Sequence, residues 1–114
     1  MNIAHVAIDS RLALAPMAGV TGPAFRQVCS ELGAGLTYTE LVSSKALCYQ
    51  DKKSRQLLQL FPGEYPCAAQ IFGSDLQCMA EAAQIAIEVS GAALLDINMG
   101  CPVGKVVNHG DGCA

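Results

Sequence analysis

Apolar and polar positions alternate along this chain in blocks that switch between two periods. Leu12-Ala13-Leu14-Ala15 is an unbroken apolar run closed by Pro16, the pattern of a buried strand. Phe25, Val28, Cys29 and Leu32 then recur at i, i+3, i+4 and i+7, which is one face of a helix. Thr21 is placed to cap that helix, Pro23 stands in its first turn, and Gly33 stops it. Leu36-Thr37-Tyr38-Thr39 reads as a second strand ending at Glu40. Ser44 to Leu60 is helical but weaker and interrupted, and Pro62-Gly63 ends it. Cys67 to Phe72 is a third strand. Ser74 and Gln77 form a capping box opening the clearest helix, whose predicted buried stripe is Leu76, Met79, Ala80, Ala83 and Ile87, stopped by Gly91. Ala92 to Leu95 starts a fourth strand. The order β-α-β-α-β-α-β, with strands apolar throughout, predicts an α/β fold with a parallel sheet covered by helices.

Composition narrows this. The chain has 114 residues, 52% hydrophobic and 15% charged, enough for one domain with an apolar core and too aliphatic for disorder. Its net charge of −3 carries no basic excess of the kind a nucleic-acid-binding domain shows. Lys52-Lys53-Arg55 is the one basic cluster and reads as a solvated helix face. Six cysteines form no C-x-x-C pair, and no histidine stands at zinc-ligand spacing, so free thiols in a reducing compartment are expected and no metal site. No basic leader precedes an apolar segment. The longest apolar stretch, Leu12 to Val20, is too short to span a membrane. A soluble, cytoplasmic protein is the expectation.

The chemistry-bearing residues gather at strand ends. Ligands of parallel α/β folds bind at the carboxyl ends of the strands. The four strands here end in Pro16-Met17-Ala18, in Glu40, in Gln70 and in Asp96-Ile97-Asn98-Met99-Gly100-Cys101-Pro102. Alternation puts Asp96 and Asn98 on one face of the fourth strand, and Gln70 with Ala68 and Phe72 on one face of the third. Singly, each has a plain structural reading: Gln70 could satisfy a backbone group, Asp96 could hold a loop, Glu40 could sit in a rim salt bridge, Cys101 could be a small buried hydrophobe. A cysteine after Asn98 in a Gly-Cys-Pro turn, where Gly100 permits close approach and Pro102 stiffens the chain, favours a chemical role. G-x-G-x-x-G and G-x-x-x-x-G-K-[ST] are both absent, which argues against dinucleotide-type and P-loop phosphate sites. Gly110-Asp111-Gly112 reads as a turn; His109 and Cys113 receive no role.

Three segments carry a family resemblance: Leu14-Ala15-Pro16-Met17-Ala18-Gly19-Val20-Thr21, Gln70-Ile71-Phe72-Gly73-Ser74, and Asp96-Ile97-Asn98-Met99-Gly100-Cys101-Pro102-Val103 followed by Lys105-Val106. Together they resemble the flavin-dependent tRNA-dihydrouridine synthases, and the bacterial B-type branch in particular. The third segment, Asn-x-Gly-Cys-Pro-x-x-Lys-Val, is the most specific; the first is shared with other FMN barrels. The resemblance implies residues 1–114 as the N-terminal half of an FMN-binding (β/α)8 barrel, with the C-terminal half and a helical RNA-binding domain absent. It implies reduction of uridine to 5,6-dihydrouridine in tRNA with NADPH as reductant. By the family pattern Pro16, Met17 and Ala18 line the flavin, Gln70 bonds the isoalloxazine edge, Asn98 lies near flavin and uracil, Cys101 is the general acid and Lys105 contacts substrate.

That assignment is chemically coherent. Hydride addition at C6 of uracil leaves a carbanion at C5 that needs a proton. A thiol, with a model-peptide pKa of about 8.5, is mostly protonated at neutral pH yet acidic enough to give the proton up. A base within folded tRNA must also be turned out of its stack to be reached. A barrel of this kind takes roughly 250 residues, so the chain is expected to be a synthase fragment inactive alone. Two other readings stand beside it: a dihydroorotate-dehydrogenase-like or other small-molecule flavin reductase, and a non-catalytic half-barrel that acts as an interaction module.

Overall fold

The computed structural model describes residues 1–114. Its sheet is built around one strand. β5 (Cys67–Phe72) is flanked by β3 (Thr37–Tyr38) and β4 (Val42–Ser43) along one edge and by β6 (Leu94–Ile97) along the other, every pair parallel. Thr37 pairs with Cys67 and Val42 with Ile71. The register therefore slips by one residue between β3 and β4, which is the mark of a bulge and turns Glu40 and Leu41 out at the strand end. β5 is buried from Cys67 to Ile71, as a strand flanked on both edges and covered on both faces should be.

The first predicted strand is reduced to a single parallel bridge, Ala13 to Leu36, flanked by backbone bonds from Leu14 N–H to Leu36 O and from Gly35 N–H to Leu12 O. It is not buried: Leu12 is 64% exposed. It has a neighbour on one edge only, so its apolar run does not settle into a core. β6 is open in the same way, with Leu95 and Ile97 exposed on one face.

The helices pack on one face of the sheet. α2 (Ser44–Cys48) and α3 (Lys52–Leu57) replace the interrupted helical stretch, separated by Gln50 at φ 58°. Ser43 and Asp51 cap them, accepting from the amides of Ala46 and Ser54. α4 (Leu76–Ser90) ends on Gly91 at φ 69°, a left-handed position suited to glycine. The expected capping box is not formed. Asp75, not Ser74, is the cap, and its carboxylate accepts from Cys78 N–H at 2.8 Å. Of the expected stripe, Met79, Ala83 and Ile87 pack against the core, but the fully buried positions are Ala82 and Ala86, set against Ala69 and Ile71, while Leu76 is 88% exposed and Ala80 lies outside. Small residues at the contact let α4 approach β5 closely.

α1 (Pro23–Glu31) departs furthest from its pattern. Its cap is Gly22, and Phe25, Val28 and Leu32 are exposed, while Arg26 is completely buried. The apolar stripe looks outward because the inward side is claimed by an ion pair, Arg26 Nε to Glu64 Oε1 at 2.8 Å. The opposite face of the sheet is covered at its lower end by a hairpin with no sequence signal, β1 (Asn2–Ile3) and β2 (Val6–Ala7), whose Val6 packs with Ile8 and Leu36 against Tyr38 and Leu94. α5 (Gly104–Val107) follows the Gly-Cys-Pro turn. No helix is long and apolar enough to cross a membrane, and all six cysteines are unpaired.

Candidate active site

Above the hairpin, at the carboxyl ends of the strands, the same face of the sheet opens into a cleft of about 470 Å³. Parallel pairing sets its floor. Gln70 sits opposite Asp96 in the register of β5 and β6, so the alternation that groups Asp96 with Asn98 also brings Gln70 beside them. Gln70 Nε2 donates to Asp96 Oδ2 at 2.6 Å, and Asn98 Nδ2 donates to Gln70 Oε1 at 3.4 Å. Asn98 Oδ1 in turn accepts from the backbone N–H groups of Gly100 at 3.2 Å and Cys101 at 3.0 Å. The Gly-Cys-Pro turn is thereby tied to the sheet through a side chain.

The wall opposite is the loop after the first strand. Thr21, expected as a helix cap, is buried and works backward instead: its Oγ1 accepts from Met17 N–H at 3.0 Å and donates to Met17 O at 3.2 Å. Its hydroxyl thus closes the Met17–Val20 turn. Glu40 forms no ion pair; its Oε2 accepts from Gly19 N–H at 2.9 Å. That bond fixes the loop to the end of the second strand. Thr39 Oγ1 accepts from Gln70 N–H at 3.0 Å, locking the neighbouring strand ends together where the ladder bulges.

Pro16, Ala18, Gln70, Asn98 and Cys101 all line this one cleft, with Leu41, Asp96, Ile97, Met99, Gly100 and Val103. Met17 does not line it, and its side chain is 40% exposed. Lys105 lies in an adjoining cleft of about 520 Å³ that shares Ala18, Leu41, Cys101 and Val103 with the first and also carries Lys45 and His109. Cys101 thus stands on the ridge between the two.

Sequence reasoning missed Leu41 and Val103, whose apolar side chains carry no chemical signal, and Thr39. It also left Gly112 as an unspecific turn residue. At φ +64° a side chain there would be strained, and its Cβ would stand 2.5 Å from Cys101 O. Cys113 N–H also donates to that carbonyl at 3.3 Å, so the Gly-Asp-Gly turn closes against the cysteine loop. Tyr38, beneath the cleft, has its phenol raised above the usual range by burial and then by the Asp96 carboxylate.

This arrangement can hold a flat, mainly uncharged ring. Its lining mixes apolar side chains with the amides of Gln70 and Asn98, and no lysine or arginine lines it. It can also present a thiol at the edge of that ring. A family model described as Dihydrouridine synthase (Dus) matches residues 13–114. The chain is 45% identical over 115 aligned positions to tRNA-dihydrouridine synthase B of Pseudomonas syringae pv. tomato, covering all of this chain and 34% of that protein. It is also 45% identical over 106 positions to tRNA-dihydrouridine synthase B of Escherichia coli (strain K12), covering 93% of this chain and 33% of that protein. The chain thus spans about a third of the length of these relatives. With its matched segment reaching from the first strand through the cysteine turn, the chain belongs to the dihydrouridine synthase family.

Proposed function

We propose that this chain forms the opening half of an FMN-binding barrel that reduces uridine to 5,6-dihydrouridine in tRNA with NADPH as reductant. One observation carries the reading: Gln70, Asn98, Cys101 and the Pro16–Ala18 loop, far apart in sequence, converge on one cleft. The relatives are tRNA-dihydrouridine synthases, and the reaction and the tRNA substrate follow from that likeness.

The residues present fit the ring of a flavin. Gln70 spends one Nε2 hydrogen on Asp96 and one Oε1 lone pair on Asn98, which leaves a donor and an acceptor for the edge of a ring. The absence of a cation from the lining means these residues suit the ring system and not the phosphate. Bound there, the flavin would supply the hydride. The chain's own groups do the rest. Pro16 and Ala18 shape one wall, with Met17 holding the turn between them; Gln70 and Asn98 orient ring and base; Cys101 Sγ holds the proton destined for C5 of the reduced uracil. Lys105 lines the adjoining cleft across the ridge, which supports a contact from it to phosphate or another part of the substrate. The protein acts in the cytoplasm, where its tRNA substrate is found.

In the full-length synthase, Cys101→Ala should leave flavin binding intact and reduce dihydrouridine formation by about 10²- to 10⁴-fold, the usual contribution of a positioned acid. Flavin absorbance and a dihydrouridine assay on unmodified tRNA check the two halves. Normal turnover in that variant would remove Cys101 from the role.

A further inference from the structure

We infer that Asp96 is a positioning residue for the cysteine turn, acting through Gln70 and Asn98; this rests on the reading of Asn98 and Cys101 as reaction-site groups. The inference comes from the polarity of the hydrogen-bond chain. At one end the Gly100 and Cys101 backbone groups can only donate, so Asn98 must offer them its Oδ1. That forces Nδ2 of Asn98 toward Gln70, which must answer with Oε1. Gln70 is then left with Nε2 facing β6, where Asp96 Oδ2 accepts at 2.6 Å. Every donor points the same way, from the cysteine turn to the carboxylate. An amide can be rotated end for end at little cost in isolation; here both ends of the chain forbid it.

A carboxylate is the one side chain of this size that can only accept. Asparagine at position 96 could donate as well, so Gln70 would be free to flip. Its Nε2 would then confront Asn98 Nδ2, donor to donor, and Asn98 would release the turn. Gln70 is 5% exposed, so solvent offers little relief for a mispaired group. The Asp96 charge also reaches the Tyr38 phenol and, after burial, helps raise it.

The test is amide hydrogen exchange on this chain. In Asp96→Asn, exchange at Gly100 and Cys101 should accelerate at least about tenfold, while Ala86 in the middle of α4 keeps its native rate. The double variant Asp96→Asn with Gln70→Glu restores the polarity, because a carboxylate at 70 accepts from both Asn98 and the new amide. It should return Gly100 and Cys101 to near-native exchange. Unchanged exchange in Asp96→Asn, equal acceleration at Ala86, or no restoration by the double variant would each overturn the inference. Should Asp96→Asn fail to fold, the double variant decides alone by the same readout. In the full-length synthase, Asp96→Asn should lower kcat for dihydrouridine formation about 10- to 100-fold with the KM for tRNA unchanged. Native kcat there would overturn the positioning role. Exchange needs neither flavin nor tRNA, so it decides independently of whether the chain's relatives and this chain share a reaction.

Discussion

Arg26 and Glu64 form a buried ion pair that joins four segments. The guanidinium donates to Glu64 at 2.8 and 3.1 Å and to the carbonyls of Thr21 and Gln59, each at 2.7 Å. The carboxylate also accepts from Thr37 Oγ1 at 2.6 Å and Phe61 N–H at 3.1 Å. Each guanidinium nitrogen and both carboxylate oxygens find partners, which is the condition under which a buried pair is tolerated. Through Thr21 the pair also supports the Met17 turn that walls the cleft. Arg26→Met alone should therefore destabilise the fold by roughly 3–5 kcal/mol, since it leaves a carboxylate buried without its cation. Urea unfolding of the variant measures the loss.

The same pair makes the fold acid-sensitive. Burial pushes Glu64 up, but the bonds from Arg26 and Thr37 outweigh it and hold the carboxyl below the usual glutamate range. A lowered folded pKa contributes stability above the unfolded value and loses it as pH falls through the folded one. Unfolding midpoints should drop below about pH 4.5 and flatten in Glu64→Gln. Asp51 and Asp75, lowered by bonds from Ser54 and from the Cys78 backbone, will keep part of the slope. An unchanged profile in Glu64→Gln would remove Glu64 as its source.

Cys67 works in the opposite direction. Burial pushes its thiol up to about 12 from 9.0. The folded state keeps a proton that the unfolded state releases, so stability should decline as pH rises from about 9 towards 12. At mildly alkaline pH, alkylation with peptide mapping should label the exposed Cys113 and spare Cys67. Early labelling of Cys67 would show that the β5 core opens readily.

Ser44 Oγ is buried without a hydrogen-bond partner, and a Cβ added at Gly73 would overlap it. Ser44→Ala should therefore be neutral or slightly stabilising, as no bond is lost and a desolvated hydroxyl is removed. Gly73→Ala should cost about 1–3 kcal/mol by overpacking. Combining the two should recover only part of that loss, because Met79 Sδ at 3.0 Å and Ser44 Cβ at 3.1 Å still crowd the site. Full recovery would place the whole clash on the hydroxyl.

Gly112→Ala tests the closure of the cysteine turn. The left-handed backbone and the approach to Cys101 O both oppose a side chain there. Hydrogen exchange at Cys113 should rise while the α4 interior holds its rate. A native rate at Cys113 would show that the turn closes without that contact.

Local pattern was enough for the succession α1, β3, α2–α3, β5, α4 and β6, for β5 residue for residue, for the stop at Gly91 and for the strand-end position of Gln70, Asn98 and Cys101. It was not enough for the opening hairpin, β4 or α5, and the first expected strand shrank to one bridge. What was legible follows from local periodicity, left-handed glycine and strand alternation, which act over a few residues. The sequence also carried the family resemblance through the cysteine motif. Which helix faces turn inward was settled by packing between distant segments. α1 buries Arg26 and not its apolar stripe because Glu64, distant in sequence, awaits it. α4 sets Ala82 and Ala86 deepest because small side chains let it approach β5 most closely. The Asp96–Gln70–Asn98 chain needed the register of two parallel strands, and the Glu40–Gly19 bond needed a bulge. No local pattern encodes either, because each is a pairing between segments that only the packed sheet brings together.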